Sequence, residues 1–250
     1  MKTRLDQLLV TRGLVGSRAR ARAAIEAGGV TVDGVPAKSP SQSVTDAAVL
    51  TFADAHRFVG RGALKLDHAL DLWPVSVDGR VVLDIGASTG GFTEVCLERG
   101  AARVYAVDVG SDQLHPRLAA DPRVVVLERT DARNLTGDLI PQAPQLIVCD
   151  ASFIGLSKVL PAALDLAAAD ADLVTLVKPQ FEMERRAEVG RGGVVRDDQA
   201  RAAALARVVD WIGSRGWTVR AWADSPVTGG DGNREFLLWA RREPNVVSKA

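Results

Sequence analysis

The sequence predicts an α/β protein, a doubly wound sheet of seven strands preceded by a small α+β module. Three observations carry that expectation. From Val81 onward, strand-length apolar runs alternate with helical stretches, which is the pattern of a parallel sheet with helices on both faces. The first of those runs feeds directly into a turn of small residues and then a helix. The first 65 residues have an element order of their own and a different charge balance. They hold ten Lys or Arg against five Asp or Glu, while residues 66–250 hold 21 against 26. A formal net charge of zero thus hides a basic head on an acidic body, and the head calls for an anionic partner.

Composition bounds the class. A chain of 250 residues, 47% apolar and 25% charged, can bury a core without disulfide staples. Cys96 and Cys149 both sit in apolar surroundings and read as packed thiols in a reducing compartment. Three scattered histidines offer no zinc ligand set, so no metal is expected. Arg4, Asp6 and Arg12 interrupt Met1 to Leu14, which therefore lacks the apolar stretch of a signal peptide, and no later segment has 18 consecutive apolar residues. The expectation is a cytoplasmic protein with no membrane span.

In the head, Leu5, Leu8 and Leu9 repeat at helical spacing after Thr3, a candidate cap, and Gly13 follows as a stop. Ser17 caps a second helix, Arg18 to Ala27. There Ala21, Ala24 and Ile25 form one face, and Arg18 and Arg22 project together from a neighbouring one. Gly28-Gly29 ends it. Val30 to Val32 and Val35 flank Asp33-Gly34, a two-residue hairpin signal, and Val49 to Phe52 can close a small sheet. The segment Lys38 to Ala55, dotted with Pro and Ser, reads as the end of the module. The domains expected are 1–57, module and linker, and 58–250.

The run Leu14-Val15-Gly16-Ser17-Arg18-Ala19-Arg20-Ala21, continued by Gly29-Val30-Thr31-Val32-Asp33-Gly34, resembles the alpha-L RNA-binding module shared by a small-subunit ribosomal protein and many pseudouridine synthases. The resemblance implies that Arg4, Arg12, Arg18, Arg20 and Arg22 hold RNA phosphates, with an affinity that falls as salt rises and little reading of base sequence.

In the body, strands are expected near 81–85, 103–107, 123–127, 145–149, 172–177, 216–222 and 235–240. The run Asp84-Ile85-Gly86-Ala87-Ser88-Thr89-Gly90-Gly91-Phe92 joins a buried strand to a helix, so backbone can approach a nucleotide-like ligand at the carboxyl end of the sheet. The glycines at 86, 90 and 91 do not match the dinucleotide spacing G-x-G-x-x-G. Asp84 is placed to face a cationic amino-acid group and would repel a pyrophosphate. Asp108 ends the next strand, where carboxylates hydrogen-bond a ribose diol, and Asp131 follows the third, within reach of an adenine amino group. Taken singly, each aspartate is more often a turn former. Together they point to S-adenosylmethionine and a Rossmann-like methyltransferase fold.

Methyl transfer to a hydroxyl requires removal of its proton. Lysine can serve when its pKa falls from about 10.4 toward 7 to 8, whereas arginine stays protonated. With 25 Arg and only 6 Lys in the chain, Lys178, at the carboxyl end of an apolar strand and before Pro179, is informative. Asp150 ends the preceding strand at the same edge, Glu235 enters the last apolar run, and Lys65 lies in Arg61-Gly62-Ala63-Leu64-Lys65-Leu66. By residue type alone, each is equally a surface ion-pair member.

Nearly the whole chain resembles the TlyA family of RNA 2'-O-methyltransferases, sometimes labelled haemolysin A, whose catalytic domain is similar to the FtsJ ribose methyltransferases. The matching stretches are Arg61 to Leu66, Asp84 to Thr93, Asp150-Ala151-Ser152-Phe153-Ile154, Val177 to Glu182, Gly190 to Asp197 and Ser225 to Gly229. The resemblance implies a catalytic tetrad at Lys65, Asp150, Lys178 and Glu235, with ribosomal RNA, at cytidine, as substrate. Gly60, Ala151 and Arg234 depart from the family pattern without removing a tetrad member. On this reading Lys178 is the general base, Asp150 and Glu235 orient the lysines, and Lys65 steadies the developing oxyanion. The competing classes are a methyltransferase of another acceptor and a nonenzymatic RNA-binding assembly factor. A direct haemolysin finds no export signal, apolar span or long cationic amphipathic helix in its support.

Overall fold

In the head, Leu5, Leu8 and Leu9 close against Ala21, Ala24 and Ile25, with Val15, Val30 and Val44 completing a small core. The computed structural model describes residues 2–26, 28–52, 57–183, 193–229 and 232–243, and the chain divides into two units, Met1–Arg61 and Gly62–Ala250. The first contains β1 (Lys2–Arg4), α1 (Leu5–Thr11), α2 (Arg18–Glu26), β2 (Val30–Val32), β3 (Val35–Pro36), β4 (Ser43–Thr45) and β5 (Leu50–Phe52). Ser17 Oγ accepts from the Arg20 amide at 3.3 Å, a cap at the start of α2. Ala27, the expected end of that helix, lies outside the described residues. The Asp33-Gly34 turn has φ of 51° and 79°, the left-handed pair that a tight hairpin requires.

One local expectation is corrected. Thr3 does not cap α1. It lies in β1, paired with Val44 of β4, and its hydroxyl donates to Asp46 Oδ1 at 3.0 Å. The segment 38–55 holds β5, within the Val49 to Phe52 run expected to close a small sheet, and also β4, and the two complete the sheets β1-β4 and β3-β2-β5. Sequence reading missed β4 because three residues are too few to show alternation.

The second unit begins with α3 (Ala63–Leu72), followed by β6 (Val81–Ile85), α4 (Gly91–Glu98), β7 (Arg103–Val107), α5 (Pro116–Ala119) and β8 (Val124–Leu127). Next come β9 (Leu146–Cys149), α6 (Leu156–Val159), α7 (Pro161–Leu166), β10 (Asp172–Val177) and α8 (Pro179–Glu182), and the unit closes with α9 (Asp198–Ser214), β11 (Trp217–Asp224) and β12 (Phe236–Arg242). The sheet runs β11-β12-β10-β9-β6-β7-β8. Strands β9 and β10 are buried at every position, as a sheet covered on both faces demands.

The sheet is mixed where a parallel one was expected. β12 inserts between β10 and β11 and runs antiparallel to both. The connection 225–235 is too short for a covered crossover, so the chain turns back on itself. This reversal matters for chemistry. Lys178 follows the carboxyl end of β10, and the Val177 to Phe236 pairing brings the residue just before β12, Glu235, to that same edge. Asp150 follows β9 there too, beside the turn after β6.

Candidate active site

The turn after β6 is shaped by its glycines. Gly86 has φ of 79°, and a Cβ on it would stand 3.0 Å from the Ala151 backbone, so only glycine permits the approach of this turn to the segment that follows β9. Gly90, at φ 95°, opens α4 against Leu114 and Leu118. Below the turn lies a cavity of about 480 Å³ lined by Gly86, Ser88, Asp108, Asp131, Asp150 and Phe153 among others, a size suited to a nucleoside cofactor.

The expected cofactor residues separate into two groups. Gly86, Ser88, Asp108 and Asp131 line the cavity, while Asp84, Ala87, Thr89, Gly90, Gly91 and Phe92 do not. Asp108 is fixed by two backbone amides, Ser88 N on Oδ2 and Gly110 N on Oδ1, both at 2.8 Å. Asp131 caps the short turn Ala132–Asn134 through the Arg133 amide at 3.0 Å, and the Arg133 guanidinium holds its carboxyl below the usual range. Asp84 is fully buried. Thr93 Oγ1 donates to its Oδ2 at 2.7 Å, Oδ1 has no partner among the described residues, and burial pushes its pKa up to about 7. The sequence placed Asp84 facing a ligand's cation, whereas in the structure it is fully buried, bonded to Thr93 of α4, and does not line the cavity.

Lys65, Asp150, Lys178 and Glu235 form one chain of contacts. Glu235 Oε2 accepts from Lys65 Nζ at 2.6 Å, Lys65 Nζ stands 3.9 Å from Asp150 Oδ2, and Asp150 Oδ1 stands 2.6 Å from Lys178 Nζ. Lys178 Nζ also donates to Ser152 Oγ at 2.7 Å and to the Asp150 carbonyl at 3.1 Å. Both lysines and Glu235 are buried, and Asp150 is partly exposed. Two ammonium groups alternate with two carboxylates, so the buried charges are matched one for one. A Cβ on Gly229 would lie 2.5 Å from Glu235 Oε1, so the loop before β12 can seat that carboxylate only with glycine there.

Sequence reasoning assigned no role to Ser152, Phe153 or Gly229, although all three lie in stretches it quoted. Phe153 is 88% exposed, has φ of 67° and lines the cavity mouth. An exposed ring on a left-handed backbone is the combination that suggests a contact with something outside the chain, and neither property shows in a one-letter code. Of the stretch Gly190 to Asp197, residues 190–192 lie outside the described residues.

In the head, Arg4, Arg12 and Arg18 are held by partners within the module. Asp6 is fully buried, and it accepts from Arg4 at 3.1 Å and from Arg18 at 3.0 Å, which hold its carboxyl down to about 2. Arg12 donates to the carbonyls of Ala48 and Asp46. Arg20 is half-buried and Arg22 is exposed. The helical face thus carries its positive charge on a partly pinned frame.

A Rossmann-like sheet with a glycine turn over a nucleoside-sized cavity, and two lysines alternating with two acids beside it, defines a methyltransferase dependent on S-adenosylmethionine. The residues fit that cofactor, since Gly86, Ser88, Asp108 and Asp131 from successive strand ends line one cavity of nucleoside size. Residues 58–242 match the FtsJ-like methyltransferases and residues 3–50 the S4 domain. A 16S/23S rRNA (cytidine-2'-O)-methyltransferase, TlyA of Mycobacterium tuberculosis, is 50% identical, covering 100% of this chain and 93% of its own. Hemolysin A of Brachyspira hyodysenteriae is 37% identical over 94% of this chain and 98% of its own. A solved structure from Streptococcus thermophilus superposes with a TM-score of 0.78 at 36% identity, covering 99% of this chain and 92% of that one. The chain belongs to the TlyA family of FtsJ-like methyltransferases.

Proposed function

We propose that the protein transfers a methyl group from S-adenosylmethionine to the 2'-hydroxyl of a cytidine in ribosomal RNA, with residues 1–57 as the RNA-binding domain and 58–250 as the catalytic one. The observation that carries this reading is the Glu235, Lys65, Asp150, Lys178 chain at the cofactor cavity. The cofactor supplies a methyl group on a sulfonium, and the protein's own task is to hold the acceptor and take its proton.

Of the two lysines, Lys178 makes the closer contacts to residues that line the cavity, 2.6 Å to Asp150 and 2.7 Å to Ser152 against 3.9 Å from Lys65 to Asp150. It acts as general base for the ribose hydroxyl once its amine is neutral, with Ser152 Oγ and the Asp150 carbonyl fixing where the nitrogen points. Lys65, set back against Glu235, keeps Asp150 in place and adds positive charge near the oxygen that is losing its proton. Phe153 offers a ring face to the acceptor base at the mouth. The name of the Mycobacterium tuberculosis relative, a 16S/23S rRNA (cytidine-2'-O)-methyltransferase, supports ribosomal RNA as substrate and cytidine as target.

Incubation with methyl-tritiated S-adenosylmethionine and ribosomal subunits lacking the mark is expected to yield label in 2'-O-methylcytidine. Label on a base or on ribosomal protein overturns the assignment. For the head, converting Arg18, Arg20 and Arg22 to Gln is expected to weaken RNA binding about tenfold at 0.1 M salt and to flatten the salt dependence by about two units of slope. Cofactor affinity stays within about twofold. Salt-dependent filter binding alongside calorimetry of the cofactor checks it, and equal loss of both affinities argues instead for a damaged fold.

A further inference from the structure

Beside the cofactor cavity lies a second one of about 410 Å³, lined by Lys158, Phe181, Glu182, Arg207 and Trp211 among others. The two share a wall. Ile154 lines the first and Gly155, the next residue, lines the second. The Phe153 ring, at the mouth of the first, meets Phe181 of the second with centroids 5.4 Å apart. A Cβ on Gly155 would come within 3.1 Å of the Phe181 carbonyl and 3.2 Å of Glu182 Oε2, so glycine there lets this segment pack closely on α8.

The groups that face this cavity favour an anion joined to a flat ring. Arg207 donates through Nη2 to the Glu182 carbonyl at 3.1 Å, while its Nε is buried with no partner among the described residues. Lys158 is exposed at the rim and Trp211 is half-buried. Among the described residues the one acid lining it is Glu182, which accepts from the Leu156 amide at 2.8 Å and whose pKa burial raises.

We propose that this cavity is the subsite for the nucleotide flanking the acceptor, with its base against Trp211 and Phe181 and its phosphate on Arg207 and Lys158. The inference rests on the RNA reading above. One strand can fill both cavities because the aromatic pair between them presents Phe153 to one nucleotide and Phe181 to the next.

The test uses the full chain, with ribosomal subunits and S-adenosylmethionine as substrates. Trp211→Ala and Lys158→Glu are each expected to raise KM for the subunits about tenfold, with kcat and the cofactor Kd within about twofold. Lys158→Glu should also lower the salt slope of RNA binding by about one. Trp211 packs partly into the protein and its loss can disturb folding, but Lys158 is exposed, so the second variant keeps the proposal falsifiable. If Lys158→Glu leaves both KM and salt slope unchanged, or weakens the cofactor as much as the RNA, the subsite is wrong while the methyl-transfer reading stands. If the unmodified protein transfers no methyl group to RNA, both fall together.

Discussion

Lys178→Ala is expected to lower methyl transfer by a factor of about 10² to 10⁴, the usual worth of a positioned general base, with cofactor Kd unchanged within about twofold. Nζ makes three contacts at the cavity edge, to Asp150 Oδ1, the Asp150 carbonyl and Ser152 Oγ, and alanine removes all of them. Loss of rate alone does not separate a proton acceptor from a fixed positive charge. Lys178→Arg does, because arginine keeps the charge and the pairing with Asp150 yet cannot give up its proton. Single-turnover rates with bound RNA should therefore fall in both variants. An arginine variant that retains most of its rate would move Lys178 from base to electrostatic support.

The second large effect concerns Asp84 and pH. Burial is the main reason its carboxyl titrates near 7, with the negative charges of Asp150 and Asp108 adding to it and the Thr93 hydroxyl opposing it. In the unfolded chain it titrates near 3.8. A raised carboxyl pKa means that the folded state holds the proton more tightly. Folding stability from this group is therefore fully present below about pH 4, declines as pH rises, and levels off above about 7. The loss is about 4 kcal/mol over that interval. Asp84→Asn keeps an acceptor for Thr93 and cannot ionise. Its unfolding free energy minus that of the unmodified protein should grow more positive from pH 4 to 7 and then stay constant. All five tryptophans lie after residue 62, so urea unfolding followed by their fluorescence reports on the second unit alone. Parallel pH curves would show that Asp84 does not titrate in this window.

Both effects trace to residues that composition marks but cannot place. The scarcity of lysine drew attention to Lys178 and Lys65, and Pro179 located the first at a strand end. The same reasoning left Lys65 unplaced, because a helix after a basic segment can face anywhere. Burial brings its Nζ to 2.6 Å from Glu235, a residue 170 positions away. The glycine turn was legible as a cofactor loop because φ above zero and close backbone approach leave a residue signature. That Asp84 would be fully buried and bonded to Thr93 of α4 was not legible, because strand alternation gives the sheet face a side chain points to and says nothing of what the following helix lays over it.

What the sequence by itself determined was a two-part chain: a basic head with an Arg-bearing helix, and a doubly wound body with its ligand edge at the carboxyl ends of the strands. Periodicity, turn residues and charge balance are local properties, written within a dozen residues. The antiparallel insertion of β12, which carries Glu235 to the same edge as Lys178, was decided by the tertiary structure, as were the burial that unites four distant side chains and the pinning of Arg4 and Arg18 on Asp6. Those outcomes depend on which surfaces exclude water together, and that is settled between segments of the chain and not within any one of them.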